Sequence, residues 1–289
     1  MNSNQAPPEA AITDLADPSL GTIPGNRLKL AVSVSWDRIS WGAWDPEQKL
    51  WLYLASERSG KLQLPGQLLD FIRTLWDKHQ RLKEDYHGVT IIWEGLNHTL
   101  IPQSLFVAEE EASFLTFTNI VHSGEEIRSE VIPRGSLVLV YALPAVLRAG
   151  LEQIWPGHSL THGISRFLRP SALDVEGRQY DVRTHIREQS FDLIIFRDGA
   201  LLYCNTFEYR TSEDLLYYIL FTFEQLGIPP AETEVRVTGD LFSESQIFEY
   251  LEKYIDRVTF AGPGSRVILA DGLKELPYHQ FCQLLNIFT

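Results

Sequence analysis

The segment from Phe191 to Ile228, FDLIIFRDGALLYCNTFEYRTSEDLLYYILFTFEQLGI, limits the possible folds of this chain more than any other. Phe191 to Phe196 and Leu201 to Phe207 have strand composition, and Asp198-Gly199 between them has the chemistry of a tight hairpin turn. Thr211-Ser212-Glu213-Asp214 then supplies a cap for an apolar run, and Gly227 with Pro229-Pro230 beyond it stops that run near Leu226. The spacing predicts strand, turn, strand, cap and helix in that order.

A coarser copy of this order precedes it. Leu28 to Ser35 reads as a strand, and Ile39 to Trp44 and Leu50 to Ala55 as a hairpin turning at Asp45-Pro46-Glu47-Gln48. Leu64 to Gln80 carries Leu68, Leu69, Phe71, Ile72, Leu75 and Trp76 at helical spacing with Pro65 in the first turn, and Val89 to Trp93 is a short strand. Pro102 to Phe106 and Glu109 to Asn119 read as short helices. A second hairpin is expected over 127–132 and 136–143, turning at Pro133-Arg134-Gly135, and a helix from Pro144 to Trp155. Ser159 to Phe167 alternates as a strand would. After the strand Tyr180 to Ile186 and the hairpin and helix above come a strand at Glu234 to Thr238, a helix at Ser243 to Ile255 capped by Ser243, a strand at Arg257 to Ala261 and a closing helix from Pro277 to Phe288. Both halves give antiparallel strands followed by strand and helix alternation, an α/β layered unit. The expected division is a flexible lead-in over 1–26, a first lobe over 27–170 and a second over 171–289, with a central cleft where a ligand would bind.

Composition narrows the partners. A chain of 289 residues with a formal net charge of -13 repels polyphosphate, and the one basic run, His79-Gln80-Arg81-Leu82-Lys83, is brief and followed by Glu84-Asp85, so no nucleic-acid partner is expected. No uninterrupted apolar stretch of about 18 residues occurs, so no membrane span is expected. The N-terminal residues carry neither a basic nor an apolar signal segment. Cys204 and Cys282 sit far apart in apolar patterns and read as reduced, buried thiols of a cytoplasmic protein.

The segment FDLIIFRDGALLYCNTFEYRTSEDLLYYIL, followed by EVRVTGD, resembles the bacterial family called domain of unknown function 3822 (DUF3822), known mostly from Bacteroidetes; the resemblance extends over most of the chain after residue 27. It implies a duplicated ribonuclease-H-like fold, the actin-like ATPase fold, similar to pilus-assembly proteins and to type II secretion L proteins. Actin-like ATPases hold ATP through Asp-x-Gly turns, where glycine lets the backbone approach a phosphate. By that resemblance the first turn falls on Ser33-Val34-Ser35 and the second near Ile186-Arg187-Glu188, while Arg210-Thr211 and Gly239-Asp240 stand where glycine pairs would be. Ala261-Gly262-Pro263-Gly264 lacks the lysine and spacing of a P-loop. If a nucleotide binds, the resemblance places Ser33, Ser35, Thr211, Ser212, Gly239 and Asp240 around it.

Other residues carry less. His158 and His162 lie four apart, which on a strand is roughly 13 Å, and read as a surface pair rather than a zinc site. Glu109-Glu110-Glu111 reads as a solvated helix start. Asp37, Glu94, Asp181 and Asp192 are scattered, whereas a two-metal nuclease needs its carboxylates together on central strands. Asn205, Glu208 and Asp214 fit turn and cap chemistry, and Tyr217, Tyr218, Phe221 and Phe223 cover more than one helix face, one for the core and the rest for a protein interface. The expectation is a pseudo-ATPase: a non-catalytic binding or scaffold module with a protein partner, no catalytic residue, no metal and no cofactor. The alternative is a divergent ATP-binding protein or ATPase using ATP and magnesium; a metal-dependent nuclease ranks third.

Overall fold

A computed structural model describes residues 13–60, 62–132, 135–168, 179–262, 264 and 266–288. In chain order the first strands are β1 (Thr13–Ala16), β2 (Lys29–Val34), β3 (Arg38–Asp45) and β4 (Leu50–Arg58), followed by α1 (Pro65–Lys78) and β5 (Gly88–Trp93). Next come β6 (His98–Pro102), α2 (Glu111–Thr116), β7 (Glu125–Ile132), β8 (Leu137–Pro144), α3 (Ala145–Ile154), β9 (Ser159–His162) and α4 (Gly163–Phe167). The remainder is β10 (Tyr180–Ile186), β11 (Ser190–Arg197), β12 (Ala200–Glu208), α5 (Ser212–Leu226), β13 (Glu234–Gly239), α6 (Gln246–Tyr254), β14 (Arg257–Phe260), β15 (Ile268–Leu269) and α7 (Cys282–Leu285).

The described residues form two compact units. The first takes them from Met1–Trp93, Val146–Leu160 and Ile268–Leu276, the second from Glu94–Ala145, Thr161–Val267 and Pro277–Thr289. This interleaving differs from a colinear division at 170/171, a point that itself lies outside the described residues. It arises because Val146–Leu160, with most of α3, rejoins the first unit after Glu94–Ala145, and because β15 returns late in the chain to pair in parallel with β4.

The first sheet runs β1-β4-β3-β2-β5-β9. Asp45 makes the β3–β4 turn by accepting the N–H groups of Glu47 and Gln48 on Oδ1, and Lys49 takes φ 54° to complete it. Trp41, Trp51 and Trp93 are buried, and α1 buries Leu68, Leu69, Ile72 and Leu75, the predicted stripe. The expectation of a flexible lead-in is corrected for residues 13–26. β1 pairs antiparallel with β4, Asp17 Oδ1 accepts the Ser19 N–H at 2.9 Å, and Leu20 is buried. Residues 1–12 lie outside the description.

In the second unit the main sheet runs β12-β11-β10-β13-β14, with β10, β11 and β12 antiparallel and β10, β13 and β14 parallel. The first unit repeats this arrangement in β4-β3-β2-β5, so the duplication read from the sequence holds. Asp198 and Gly199 both have positive φ, 50° and 79°, as a two-residue hairpin of this twist requires. Thr211 caps α5 in a reciprocal box with Asp214, and Gly227 closes it at φ 66°. One face of this sheet is apolar: Val182, Ile186, Phe191, Leu193, Ile195 and Val237 meet Leu215, Ile219 and Phe223 of α5 and Leu251 of α6. A separate sheet, β6-β8-β7, also belongs to this unit. Its hairpin was expected; β6 was not.

Three further expectations are corrected. The strand over 159–167 stops at His162, whose Nδ1 accepts the Ile164 N–H at 3.2 Å and opens α4. α6 is capped by Ser245, whose Oγ accepts the Phe248 N–H, rather than by Ser243. The closing helix is a 3-10 turn over Tyr278–Phe281 and the single turn of α7, ended where Asn286 Nδ2 takes the Cys282 carbonyl at 2.8 Å.

Gly42, in the middle of β3, gives a direct test of packing. A Cβ there would stand 2.7 Å from the Tyr53 carbonyl oxygen and 2.7 Å from Leu54 Cδ2, whereas Gly66 in α1 has open space around it. Gly42→Ala is expected to cost about 1–3 kcal/mol in denaturant titrations and Gly66→Ala to gain about 0.4–1 kcal/mol; equal effects would contradict this packing.

Candidate functional site

Strand alternation turns Asp181, Arg183 and His185 of β10 to the face opposite α5, together with Asp192 of β11 and Arg236 and Thr238 of β13. On this face Asp181, His185, Asp192 and Thr238 are buried and Arg183 and Arg236 half-buried. Buried charges need partners, and each has one. Arg183 bonds Asp181 through Nε at 3.0 Å and Nη2 at 2.5 Å and donates Nη1–H to the Phe167 carbonyl at 2.8 Å. Arg236 bonds the other oxygen of Asp181.

The carboxyl end of β10 holds the densest cluster. Arg187 grips Asp192 with both terminal nitrogens, at 2.8 and 2.6 Å, and donates Nε–H to Ser190 Oγ at 2.9 Å. Thr206 donates to the same carboxylate at 2.7 Å, and Glu94 Oε2 lies 3.7 Å from Arg187 Nη1. Burial alone would raise the Asp192 carboxyl, but the charge and hydrogen bonds of Arg187, with help from His185 and Thr206, hold it well below the usual carboxylate range. His185 stands between Glu94 Oε2 and Thr238 Oγ1, 3.0 Å from each. Thr238 donates its proton to the Thr184 carbonyl at 2.9 Å, so it accepts from His185 Nδ1. The Glu-His-Thr order has the outline of a nucleophilic triad. Thr238, however, is buried with its hydroxyl proton committed to a backbone carbonyl, which leaves no activated nucleophile.

Two more buried histidines stand behind this cluster. His162 and His98 have ring centroids 5.4 Å apart, and Tyr141 lies 4.9 Å from His162. Because Ile164 N–H donates to Nδ1, the His162 ring proton sits on Nε2, which is buried on the side of the Gly95 backbone. Burial, then the neighbouring His98 and Arg187, pushes His162 down to about 3, against the pull of Asp192 and the Gly95 backbone. His98 is also lowered, chiefly by burial. The reading of His158 and His162 as a surface pair is corrected: His162 is buried, and His158 points Nδ1 at the Trp155 carbonyl, 2.9 Å away.

The residues expected around a nucleotide have local roles. Ser33 is buried in β2 opposite Ser40 and Ile92. Ser35 Oγ accepts the Arg38 N–H at 3.1 Å and lies 2.5 Å from Asp37 Oδ1, closing the β2–β3 turn. Thr211 is the cap of α5, and Ser212, its first residue, lies 3.5 Å from Gln246 Oε1. Gly239 has φ 90°, a Cβ on it would overlap the Ile186 carbonyl, and Asp240 N–H donates to that same carbonyl at 2.7 Å. The close approach that glycine permits here is to the chain's own backbone. Of the scattered carboxylates, Asp37 belongs to the first unit and Glu94, Asp181 and Asp192 to the second. Among the described residues no three His, Cys, Asp or Glu side chains are grouped to hold a metal ion. Both cysteines are free thiols, and burial pushes Cys282 up to about 11 and Cys204 higher still. Asp214 accepts the Arg210 and Thr211 N–H groups, as cap chemistry predicts, while Asn205 and Glu208 lie on β12. At the other end of the sheet a cavity of about 280 Å³ is lined by Glu232, Glu234 and Asp256, with Arg257 the cation among them.

The family model for "Protein of unknown function (DUF3822)" matches residues 19–258. The chain belongs to the DUF3822 family. A crystal structure from Bacteroides thetaiotaomicron, described as a protein with actin-like ATPase fold and unknown function, is similar at a TM-score of 0.72 and 20% identity, over 83% of this chain and 93% of that one. The PilM-PilN type IV pilus biogenesis complex is similar at a TM-score of 0.57 and 12% identity, over 92% of this chain and 98% of that one. At these identities the likeness shows the fold, and this DUF3822 chain has the actin-like ATPase fold expected from its sequence. No curated protein matches it. No helix among the described residues is long and apolar enough to cross a membrane.

The buried histidines make stability depend on pH. His162 is neutral in the fold down to about 3 but protonates near 6.5 when unfolded. Its contribution is complete above that value and is lost as the pH falls below it, because the unfolded chain then binds the extra proton. Between pH 7 and pH 5 the protein is expected to lose about 2 kcal/mol more than His162→Asn, which keeps an acceptor for the α4 cap. Equal losses in urea titrations would contradict a buried neutral imidazole.

Proposed function

We propose that this protein is a non-catalytic module of the actin-like fold that works by binding other proteins. The observation that carries the reading is the Arg187–Asp192 pair. By the family resemblance, Ile186-Arg187-Glu188 stands where an actin-like ATPase would present the second phosphate turn. Here that arginine is buried, held at 2.6 and 2.8 Å by Asp192 and flanked by Glu94. A phosphate approaching it would meet the Asp192 carboxylate that the arginine already balances and the Glu94 carboxyl group beside it. The local roles of Ser35, Thr211 and Gly239 point the same way, and the PilM neighbour was solved as part of a protein complex.

The reading makes ATP and magnesium dispensable. Calorimetric titration of the full chain with magnesium ATP, with ADP as comparison, is expected to give no saturable heat and no rise in melting temperature. Micromolar one-to-one binding would overturn the proposal in favour of a divergent nucleotide site. Gly239 variants are unsuited to that test, because any Cβ there strikes the Ile186 backbone and would abolish binding by disturbing the sheet.

A further inference from the structure

The second unit leaves open a sheet edge that the first unit covers. The register sets the two edges level. The β3–β4 pairing slips between Ala43 and Trp44, with Ala43 opposite Tyr53, and the β11–β12 pairing slips between Ile195 and Phe196, with Ile195 opposite Tyr203. Just past each hairpin's open end, Ser59 N–H donates to the Asp37 carbonyl at 2.9 Å and Tyr209 N–H to the Gln189 carbonyl at 3.0 Å. Residues 53–56 of β4 therefore correspond to residues 203–206 of β12. Alternation back from those two bonds turns the backbone N–H and C=O groups of Leu54 and Ser56, and of Cys204 and Thr206, away from the neighbouring strand.

In the first unit that outer side is paired. β1 lies antiparallel on it, with Thr13 opposite Ser56 and Leu15 opposite Leu54, Asp17 N–H donates to the Leu52 carbonyl at 2.8 Å, and Leu52, Tyr53, Leu54, Ala55 and Ser56 are all buried. In the second unit β12 ends the sheet, and among the described residues no strand pairs with its outer side. Leu202 and Asn205 are exposed, and Tyr203, Cys204 and Thr206 half-buried. At the distance before β10 at which β1 stands before β2, the chain forms α4 instead. Nor is the edge blunted. β7, an edge of the other sheet, carries Glu125, Glu126, Arg128 and Glu130, and β14 has only four residues and begins with Arg257, whereas β12 has neither proline nor any charge before Glu208. Beside it, ring contacts lead outward from Phe207 of the edge to Tyr218 at 4.9 Å, Tyr217 at 5.6 Å and Phe221 at 5.7 Å, the last two exposed.

We infer that β12 pairs with the β12 of a second copy of this chain about a two-fold axis normal to the sheet, which joins the two sheets edge to edge. Unpaired strand backbone is satisfied by another extended strand, and β1 on β4 is the example within this molecule. A two-fold axis gives the antiparallel sense that β1 has there. It sets uncharged residues of one strand against uncharged residues of the other, and it keeps both α5 helices, with Tyr217 and Phe221, on one side of the joined sheet. The inference goes beyond the scaffold reading, and the two fail separately: ATP binding overturns that reading without touching this edge.

Sedimentation equilibrium of the full chain, with amide hydrogen exchange on the same samples, tests it. A concentration-dependent dimer is expected, and in it the Cys204 and Thr206 amides should exchange at least about tenfold more slowly than after dilution to monomer. Leu202→Lys and Asn205→Lys put like charges on the paired edges, and each should weaken the dimer at least about tenfold. The circular dichroism of both variants should match the parent, because the side chains replaced are exposed. A monomer at every concentration would overturn the inference, and so would a dimer that neither variant weakens, which would place the contact elsewhere. Slow exchange of both amides in the monomer would overturn it in favour of a cover from the same chain.

Discussion

A buried arginine on a sheet face is tolerable only if its charge is matched within hydrogen-bond distance, and the second unit is built around that constraint. Arg187 receives both oxygens of Asp192, the hydroxyl of Ser190 and the flank of Glu94. Glu94 in turn meets His185, and His185 meets Thr238. A chain of hydrogen bonds thus ties the residue after β5 to the carboxyl ends of β10 and β13. Asp181 does the same for Arg183 and Arg236 further along the face. Such networks are costly when incomplete and rigid when complete.

Under the proposed non-catalytic reading, this arrangement is what keeps the fold without the phosphate chemistry. The duplicated topology depends on apolar alternation and on turn residues, which both units keep, and in the second unit also on the caps of α5. The phosphate turns need backbone left open to a ligand. In the second unit the corresponding backbone is occupied: Gly239 and Asp240 close on the Ile186 carbonyl, and Tyr209 Oη donates to the carbonyl of Arg187 at 2.6 Å.

Much of the fold was legible because its signals are local. Asp198-Gly199, Thr211 with Asp214, and Gly227 fixed a hairpin and a helix to within a residue or two. β6 was missed because five residues ending in Pro102 carry no turn signal of their own and become a strand only by pairing with β8. α4 was missed because apolar alternation continues past His162, and it takes a side-chain cap to turn the chain. The site was less legible. Asp181, Arg183 and His185 alternate visibly, but a polar face normally means water. Burial here comes from residues remote in sequence, such as Phe167 of α4, whose carbonyl receives Arg183 and whose ring lies 5.3 Å from that of His185. Opposite charges two apart on one strand, Asp181 and Arg183, were the available hint. Gly239 was singled out as a glycine that would line a nucleotide; its close approach to the Ile186 backbone could not be read from one strand.

The most direct test of the central claim is a double-mutant cycle on Arg187 and Asp192, read as unfolding free energy of the full chain. We expect Arg187→Met and Asp192→Leu each to cost about 3–5 kcal/mol and the double variant to recover much of that loss, since removing both charges leaves neither stranded. Single variants of near-parental stability, or losses that simply add, would contradict it and would mean that Arg187 is available to a ligand after all.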